Sequence, residues 1–432
     1  MMHMGGVPML KSFTLRNAFS FVDEQKLDME ATKIKAHSYS LLTSESNSNI
    51  PPGIDILPVM SIYGANASGK SNLIRSLHFV LQSIASGSNH SVLPFMLGDF
   101  TNDKLFEPPF FELTFLLDKT EYNLAINSFA DAFFREELSY RENSKGRFKR
   151  IYLREWNKET SRWKLDPGST IDSHLAEEVK YVHKMEKNNQ SMLLYALCNR
   201  GNHNHFKAIS KWTSCFSTAQ NIAGDITTGG ILTTHEANPY LTYYNESASK
   251  KRILGFLQSM NPSIQNYTLA KKDDSAKSNK SEYRLVFEYS KAKNRTVEDE
   301  NVDIDKMISK YESRGVSSAF VFLPSMLMAL ESGGLIVVDE LENSLHPLLM
   351  AKVVNMFTDP DVNVGGGQLI FTTHNVFIMD KKYLRQDEIV FVEKDYDGKS
   401  EIYKLSDIDG ARSDSDFCKN YILGAFGAVP KL

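Results

Sequence analysis

The sequence contains few cysteines and no long uninterrupted apolar segment. Its three cysteines, Cys198, Cys215 and Cys418, lie far apart and show neither metal-binding nor redox spacing. Such isolated thiols are typical of a reducing compartment. No apolar run approaches the roughly 20 residues that span a bilayer, and the first residues lack the regions of a secretory signal peptide. We therefore expect a cytoplasmic protein that does not bind membranes.

The sequence also lacks a large excess of positive or of negative charge. The chain of 432 residues contains 49 Lys and Arg residues and 53 Asp and Glu residues, which gives a formal net charge of −4. This balance provides no global attraction to nucleic acid, so any nucleic-acid surface has to be local. A hydrophobic content of 42% and a charged content of 24% are typical of globular proteins, and the length allows two or three domains.

The strongest motif lies between an apolar run and a segment with helical periodicity. It has the pattern Gly-x4-Gly-Lys-Ser over residues 64–71, which we call the phosphate loop. Glycines let the backbone curl so that its N–H groups face phosphate oxygens, and the lysine reaches the β- and γ-phosphates. The Ser71 hydroxyl is expected to ligate Mg²⁺. The sequence therefore predicts a site for ATP and Mg²⁺, with phosphate-binding candidates Gly64, Asn66, Gly69, Lys70, Ser71 and Asn72.

A second constellation lies about 270 residues further along the chain. Four apolar residues precede Asp339 and Glu340, and the next predicted strand leads to His374. An aspartate at the end of a strand is suited to hold Mg²⁺, and an adjacent glutamate is suited to activate the attacking water. We therefore predict Asp339 as a metal residue, Glu340 as the catalytic base and His374 as a catalytic sensor of the γ-phosphate.

Buried strands alternating with helices indicate the α/β class with a mostly parallel sheet. We predict three domains: an N-terminal ATPase lobe at 1–130, an arm or insert at 131–280, and a C-terminal ATPase lobe at 281–432. The periodicity predicts paired strands near residues 9–21 and 25–29, a hairpin at 110–129, and helices within 175–198 and 205–219. The insert has no sustained heptad pattern, so we expect a compact arm of hairpin and helices.

Two features of the insert allow alternative interpretations. Residues 135–164 contain ten Lys or Arg and five Glu, with interleaved aromatic residues. Such a stretch fits single-stranded nucleic acid, and it equally fits a solvated hairpin whose aromatic side chains pack inward. His203 and His205 are compatible with a metal site, although a polar turn between helices is favoured because no Cys or acidic ligands have suitable spacing.

These motifs resemble the ABC-type ATPase heads of the SMC, RecF and OLD group. The resemblance rests on the phosphate loop, on Asp339-Glu340, on residues 343–346 and on His374. It implies a P-loop ABC-type ATPase head with a mixed β-sheet and flanking helices, plus a compact helical and hairpin arm insert. It further implies that Ser313 and Gly315 form a signature that caps ATP on a partner subunit. Asn343 and Ser344 would form the D-loop at the dimer seam.

A closer resemblance is to bacterial AAA-family ATP-binding proteins of phage defence, including RloA-like proteins and the AriA subunit of PARIS systems. The Asn17-x-Phe19 strand start, the Glu-Ser-x-Gly signature at 312–315 and the ending at 421–430 are similar to that group. The resemblance implies self-association around ATP as a dimer or higher oligomer. It also implies a nucleic-acid or phage-protein trigger and a separate effector, either a nuclease or a toxin, with Toprim-like proteins among the candidates.

The leading hypothesis is therefore an ATP-hydrolysing subunit of an anti-phage defence system that controls a separate effector. The alternative is a RecF- or SMC-like DNA-maintenance ATPase that acts directly on DNA. A third hypothesis treats ATP as a structural clamp in an assembly scaffold, in which case turnover would be slow. The stretch 135–164 distinguishes the first two hypotheses, because direct DNA binding needs a basic surface.

Overall fold

The computed structural model describes residues 8–87, 108–129, 132–213, 216–222, 225–228, 243–271, 283–290, 295–299, 312–342, 345–411 and 415–430. The helices of these residues are α1 (Lys70–Ser86), α2 (Ser173–His183), α3 (Leu193–Arg200), α4 (Asn204–Thr213), α5 (Ser247–Met260), α6 (Arg314–Ser332), α7 (Pro347–Thr358) and α8 (Phe417–Ile422). Short 3₁₀ turns cover Ser38–Ser40, Val376–Ile378, Gln386–Glu388 and Leu405–Asp407.

Among the described residues the strands form three sheets. The strands are β1 (Met9–Arg16), β2 (Gln25–Asp28), β3 (Val59–Tyr63), β4 (Phe110–Leu117), β5 (Thr120–Phe129), β6 (Ala132–Glu142), β7 (Lys149–Asn157), β8 (Arg162–Pro167), β9 (Phe216–Ile222), β10 (Asp225–Thr228), β11 (Ile264–Lys271), β12 (Tyr283–Tyr289), β13 (Arg295–Asp299), β14 (Gly334–Val338), β15 (Gly367–Thr372), β16 (Ile389–Lys394) and β17 (Ser400–Lys404).

The first sheet is antiparallel, in the order β2-β1-β4-β5-β6-β7-β8. It confirms the predicted pairing near the N-terminus and the predicted hairpin at 110–129. Strands β6 to β8 continue this sheet beyond the predicted domain boundary near residue 130. The three-domain division remains a prediction.

The central sheet has the order β10-β9-β14-β15-β3-β16-β17. Its five inner strands are parallel and its two edge strands are antiparallel, which confirms the mostly parallel α/β core. Parallel neighbours end at the same edge of a sheet, so the segments that follow β3, β14 and β15 meet there. These segments are the phosphate loop, residues 339–342 and residues 373–375.

Strands β3, β14 and β15 of the central sheet are buried on both faces. In β14, Leu335 and Val337 face a core shared with α1 and the first sheet, whereas Ile336 and Val338 face a core shared with α5, α6 and α7. This division follows the two-residue period of a strand. It explains why the sequence of β14 is continuously apolar rather than alternating.

Helix α6 lies in the core on the face of the central sheet that carries Ile336 and Val338. Its window Gly315–Ser332 has a mean hydropathy of 1.3 and is long enough to cross a membrane by length and composition, and 78% of that window is buried inside the protein. Phe320 of this helix packs against Tyr244, Tyr267 and Phe287. The apolar composition of α6 is therefore explained by its position between the central sheet and the β11-β12-β13 sheet.

The prediction of a helix over residues 205–219 is wrong in its last part. Helix α4 ends at Thr213, and Phe216–Ile222 is a strand that pairs in parallel with β14. Pairing with β10 and β14 outweighs the local periodicity, because strand preference depends on the neighbours that a segment meets. The predicted helical stretch 175–198 consists of two helices, α2 and α3, with a break between them.

The basic stretch 135–164 lies mainly on β6, β7 and the start of β8. Five of its ten basic side chains form ion pairs with carboxylates, namely Arg135, Arg141, Lys149, Arg150 and Arg154. Arg141 also stacks over Phe148, and Tyr152 is fully buried. These contacts favour the interpretation as a packed hairpin over the interpretation as a surface open to nucleic acid.

His203 lies in the polar turn between α3 and α4, and His205 lies in the first turn of α4. Their rings stack with centroids 4.9 Å apart, and the His205 Nδ1 atom lies 2.5 Å from the Tyr122 hydroxyl. Burial lowers the pKa of His205 to about 4, so its ring is neutral at physiological pH. In the part of the chain that the structure describes, no group of His, Cys, Asp or Glu is arranged to hold a metal.

A buried ion pair connects the first sheet to α3. Arg154 and Glu136 are both fully buried, with Arg154 Nε donating to Glu136 Oε2 at 2.9 Å. The backbone N–H groups of Leu193 and Leu194, at the start of α3, donate to the same carboxylate at 2.9 and 2.8 Å. Helix N-termini favour negative charge, so this carboxylate is stabilised by both the guanidinium and the helix.

Replacing Glu136 by Ala should therefore destabilise the protein strongly. The Arg154 guanidinium would remain buried without its counter-ion, a situation that costs about 3–5 kcal/mol. Trp163 stacks 4.1 Å from the Arg154 guanidinium carbon, so Trp fluorescence during urea unfolding reports on this region. The matched control is Asp166→Ala, which removes the ion pair between Asp166 and Arg150. The Asp166 side chain is 57% exposed, so this change should lower the free energy of unfolding by less than about 1 kcal/mol. Equal unfolding midpoints for the two variants would contradict this assignment.

Candidate functional site

The phosphate loop leaves β3 after Tyr63 and enters α1 at Lys70, as the sequence predicts. Its two key glycines have positive φ values, +156° at Gly64 and +118° at Gly69. A Cβ at Gly64 would lie 2.3 Å from the Val392 carbonyl oxygen, and a Cβ at Gly69 would lie 2.6 Å from Ser400 Oγ. Both positions therefore require glycine for backbone conformation and for close packing.

Two serines that were not predicted from the sequence hold the phosphate loop through hydrogen bonds. Ser20 Oγ and Ser400 Oγ lie 2.7 Å apart, and the Ser400 hydroxyl lies 2.6 Å from the Ser68 carbonyl oxygen. Asn72, predicted to bind phosphate, donates its Nδ2 to Ser20 Oγ at 3.2 Å. Asn66 is exposed at the tip of the loop. A chain of side-chain hydrogen bonds thus anchors the loop to the turn at residues 17–22 and to β17.

Lys70 occupies the centre of the loop. Its Nζ donates to the carbonyl oxygens of Gly64 and Ala65 at 2.8 and 3.0 Å. Burial lowers the pKa of Lys70, and the carboxylates of Asp339, Glu340 and Glu342 act in the opposite direction and raise it. The structure therefore brings the lysine of the loop within electrostatic range of three acidic residues that follow β14.

Asp339 and Glu340 are held by a threonine of the neighbouring strand. The Thr372 hydroxyl donates to Asp339 Oδ1 at 2.6 Å, and the Glu340 backbone N–H donates to the Thr372 Oγ1 atom at 2.7 Å. Asp339 is buried at the end of β14, and Glu340 adopts a left-handed backbone conformation with φ of 56°. Such a conformation is unfavourable for a non-glycine residue and is concentrated at functional sites. The left-handed conformation of Glu340 interrupts the extended backbone after β14. The Asp339 and Glu340 side chains therefore do not follow the alternation between opposite faces of the sheet that consecutive residues of a regular strand show.

His374 lies two residues beyond β15, with an exposed side chain. Its backbone N–H donates to Glu342 Oε1. Partial desolvation by the surrounding residues lowers the pKa of the His374 imidazole, and the nearby Lys70 ammonium lowers it further, so the neutral form predominates at pH 7. A neutral imidazole retains one N–H donor, which suits a hydrogen bond to an anionic oxygen.

The predicted signature residues lie at the N-terminus of α6. Ser313 is the N-cap of this helix, and its Oγ accepts from the Val316 N–H at 3.4 Å. Ser313 is exposed, whereas Gly315 is buried. The hydrogen bonds of Ser313 to described residues stay within α6. Asn343 and Ser344, the predicted D-loop residues, lie outside the described residues.

The residues at this edge fit MgATP chemically. The curled loop offers backbone N–H groups at a helix N-terminus, which is a favourable site for phosphate. The Ser71 hydroxyl and the Asp339 carboxylate are oxygen ligands of the kind that Mg²⁺ prefers. Sequence reasoning identified these groups and missed Glu342, Thr372, Ser20 and Ser400. The Asp-Glu-Leu-Glu run at 339–342 is the local signal that could have identified Glu342.

Comparison with solved structures gives weak likenesses to SMC heads. An SMC head bound to the C-winged-helix domain of ScpA is 11% identical with a TM-score of 0.40, over 91% of this chain and 97% of that chain. The SMC head domain from Thermotoga maritima is 13% identical with a TM-score of 0.34, over 91% and 98%. An SMC head with an extended coiled coil, bound to the C-terminal domain of ScpA derived from Pyrococcus furiosus, is 10% identical with a TM-score of 0.41, over 92% and 96%.

These TM-scores are too low to identify the fold. The strand order of the central sheet and the phosphate loop between β3 and α1 identify the chain as an α/β protein with a P-loop. No curated protein matches the chain. A sequence profile does match, over residues 59–181 and 209–380, and these segments make up more than half of the chain. The chain therefore belongs to the family described as "AAA domain, putative AbiEii toxin, Type IV TA system".

Proposed function

We propose that this protein is an Mg²⁺-dependent ATPase whose nucleotide cycle controls a separate effector in anti-phage defence. One observation carries the ATPase part of the proposal. Lys70, Asp339, Glu340 and His374 come from three separate chain segments and converge at the carboxyl edge of β3, β14 and β15. Ligands of α/β proteins bind at this edge, and phosphoryl transfer needs these groups side by side.

Each residue of the site has a proposed role. The loop N–H groups bind the phosphates, and Lys70 moves from the carbonyl oxygens of Gly64 and Ala65 to the β- and γ-phosphates. Ser71 and Asp339 would hold Mg²⁺, and the bound ion would neutralise charge on the phosphates. Glu340 orients and deprotonates the attacking water. The neutral His374 imidazole donates a hydrogen bond to the γ-phosphate and thereby distinguishes ATP from ADP.

We further propose that two heads associate around ATP. Ser313 is exposed at the N-terminus of a 19-residue helix, where backbone N–H groups favour an anion, and its hydrogen bonds to described residues stay within that helix. A phosphate bound by the loop of a second copy suits this position. Ser313 and Gly315 would then complete the site of the partner subunit, and Asn343 and Ser344 would lie along the seam.

The proposed output is control of another protein, in the cytoplasm and without a membrane. The family description names a putative toxin and a toxin–antitoxin system, which supports a role in abortive infection. The motif resemblance to RloA-like proteins and to the AriA subunit supports a nuclease or toxin, Toprim-like proteins included, as the controlled effector. Direct action on DNA by the stretch 135–164 is less favoured, because half of its basic side chains are already paired with carboxylates.

Lys70→Ala should abolish ATP binding, whereas Glu340→Gln should retain binding and lower kcat by about 100-fold or more. Lys70 contacts phosphate in the ground state, while Glu340 acts on the water. Binding is measured by calorimetry with MgATP, and turnover is measured by phosphate release. Arg75→Ala on the exposed face of α1 and Glu401→Gln on β17 are the matched controls, and both should behave as wild type. A Glu340→Gln protein with wild-type turnover would show that another group is the base.

Composite sites should be detectable by mixing two inactive variants. Lys70→Ala lacks the phosphate-binding group and Ser313→Arg lacks the signature, so a mixed pair contains one intact site. With random pairing at equal concentrations, about a quarter of the wild-type ATPase activity should return. Phosphate release by each variant alone provides the baseline. Full ATPase activity of a preparation that light scattering shows to be strictly monomeric would exclude the shared site.

Defence activity should need the neighbouring gene. An ATPase without an effector can act only through partners, and a conformational switch biases a partner by differential affinity between its states. The purified protein should cut neither DNA nor RNA, and it should bind the product of the neighbouring gene in an ATP-dependent way. Pull-down and phage challenge are performed with each gene alone, with both genes, and with Glu340→Gln. Protection by this gene alone, or a pair that is indifferent to Glu340→Gln, would refute the proposal.

A further inference from the structure

Glu342 is the acidic residue of the site that has no role in the proposed reaction. It follows Asp339 by three positions and precedes Asn343 directly. Its Oε1 atom accepts a hydrogen bond from the backbone N–H of His374. Its Oε2 atom is buried and has no hydrogen-bond partner among the residues that the structure describes. A buried carboxylate oxygen without a partner is unfavourable for folding, so its presence requires an explanation.

The surroundings of Glu342 place it between the parts of the nucleotide site. Lys70 of the phosphate loop and the imidazole of His374 both lie within its electrostatic range. Tyr63, the last residue of β3, is also in range, and its buried hydroxyl likewise has no hydrogen-bond partner among the described residues. The carboxylate therefore faces strand β3, the loop that follows it and the turn that follows β15.

Glu342 contacts the backbone N–H of His374 and not its imidazole. This geometry determines which role the contact can have. A hydrogen bond to the N–H of residue 374 fixes the main chain of the turn and leaves the imidazole free for a ligand. The same turn continues through Asn375, whose Oδ1 accepts from the Phe377 N–H at 2.9 Å. The position of the imidazole relative to the phosphate loop is thus set by Glu342 from one side and by the turn of Asn375 from the other.

We propose that Glu342 is a positioning residue that ties the turn carrying His374 to the segment that leads into Asn343 and Ser344. A displacement of His374 by the γ-phosphate would then be transmitted through the Glu342 carboxylate to the segment 339–342 that follows β14. The inference rests on the proposed ATPase function for its catalytic consequence. The tie itself is a property of the nucleotide-free protein.

Three variants separate the tie from the charge of Glu342. Glu342→Gln keeps an acceptor for the His374 N–H and removes the charge, Glu342→Ala removes both, and Glu342→Asp keeps the charge on a shorter side chain. Glu401→Ala, an exposed glutamate of β17, is the matched control. Circular dichroism and urea unfolding show whether each variant folds. If Glu342→Ala does not fold, the comparison of Glu342→Asp with Glu342→Gln tests the proposal.

The first measurement is amide hydrogen exchange over residues 372–378 in the nucleotide-free protein. We expect wild-type protection in Glu342→Gln and Glu401→Ala, and exchange about tenfold faster at His374 in Glu342→Ala and Glu342→Asp, because a hydrogen-bonded amide exchanges only when it opens. Unchanged exchange at His374 in both the Ala and Asp variants would overturn the proposal. This measurement does not depend on ATP turnover, so it decides the tie even if the proposed ATPase function fails.

The second measurement is steady-state ATP hydrolysis. We expect Glu342→Ala to lower kcat about tenfold with KM changed less than about threefold, and Glu342→Gln to remain within about threefold of wild type. In the double variant Glu342→Ala/His374→Ala, kcat should be within about twofold of that of His374→Ala alone, because both changes remove the same function. Losses that multiply in the double variant, or a Gln variant as slow as the Ala variant, would overturn the positioning role.

Discussion

The parallel pairing of β3, β14 and β15 is the constraint on which the site depends. Val59 to Ile62 pair with residues of β15, and β15 pairs residue by residue with β14 from Gly334 to Val338. Parallel strands in register end together, so three segments separated by up to about 300 positions start from one edge. Each segment by itself carries residue types that are common in ATP-binding sites. The three segments can form one site because the register places Lys70, Asp339 and His374 within electrostatic range of one another.

Around this edge the protein uses side-chain hydrogen bonds rather than bulk packing to hold loops. Ser20, from the turn after β1, and Ser400, from β17, hold the phosphate loop at the Ser68 carbonyl and at Asn72. Thr372 holds Asp339 and the left-handed Glu340 in the same way. Directional bonds specify one loop conformation where apolar contacts would permit several. The site is therefore connected to the first sheet through the turn that follows β1, and to the central sheet through β15 and β17.

Much of the fold and part of the site could be predicted from the sequence. The phosphate loop has a fixed spacing because backbone curvature, lysine and hydroxyl must occur within eight residues, so its signal is local. Asp339 and Glu340 were recognisable because a buried strand reads as an apolar run that ends in polar residues. The roles of Ser20, Ser400 and Thr372 could not be predicted, since a serine or threonine has no signal until its partner is known. Ser20 and Ser400 are 380 positions apart.

The sequence by itself determined the class of the protein, the location of the phosphate loop and the identities of the two carboxylates at the end of β14, because each depends on neighbours in the chain. The tertiary structure alone decided that residues 216–222 form a strand between β10 and β14, that five of the ten basic residues of 135–164 pair with carboxylates, and that Glu342 contacts the backbone of His374. These features depend on which distant segments become neighbours, and hydrophobic periodicity records the face that a residue turns to the core but not the partner that it meets there.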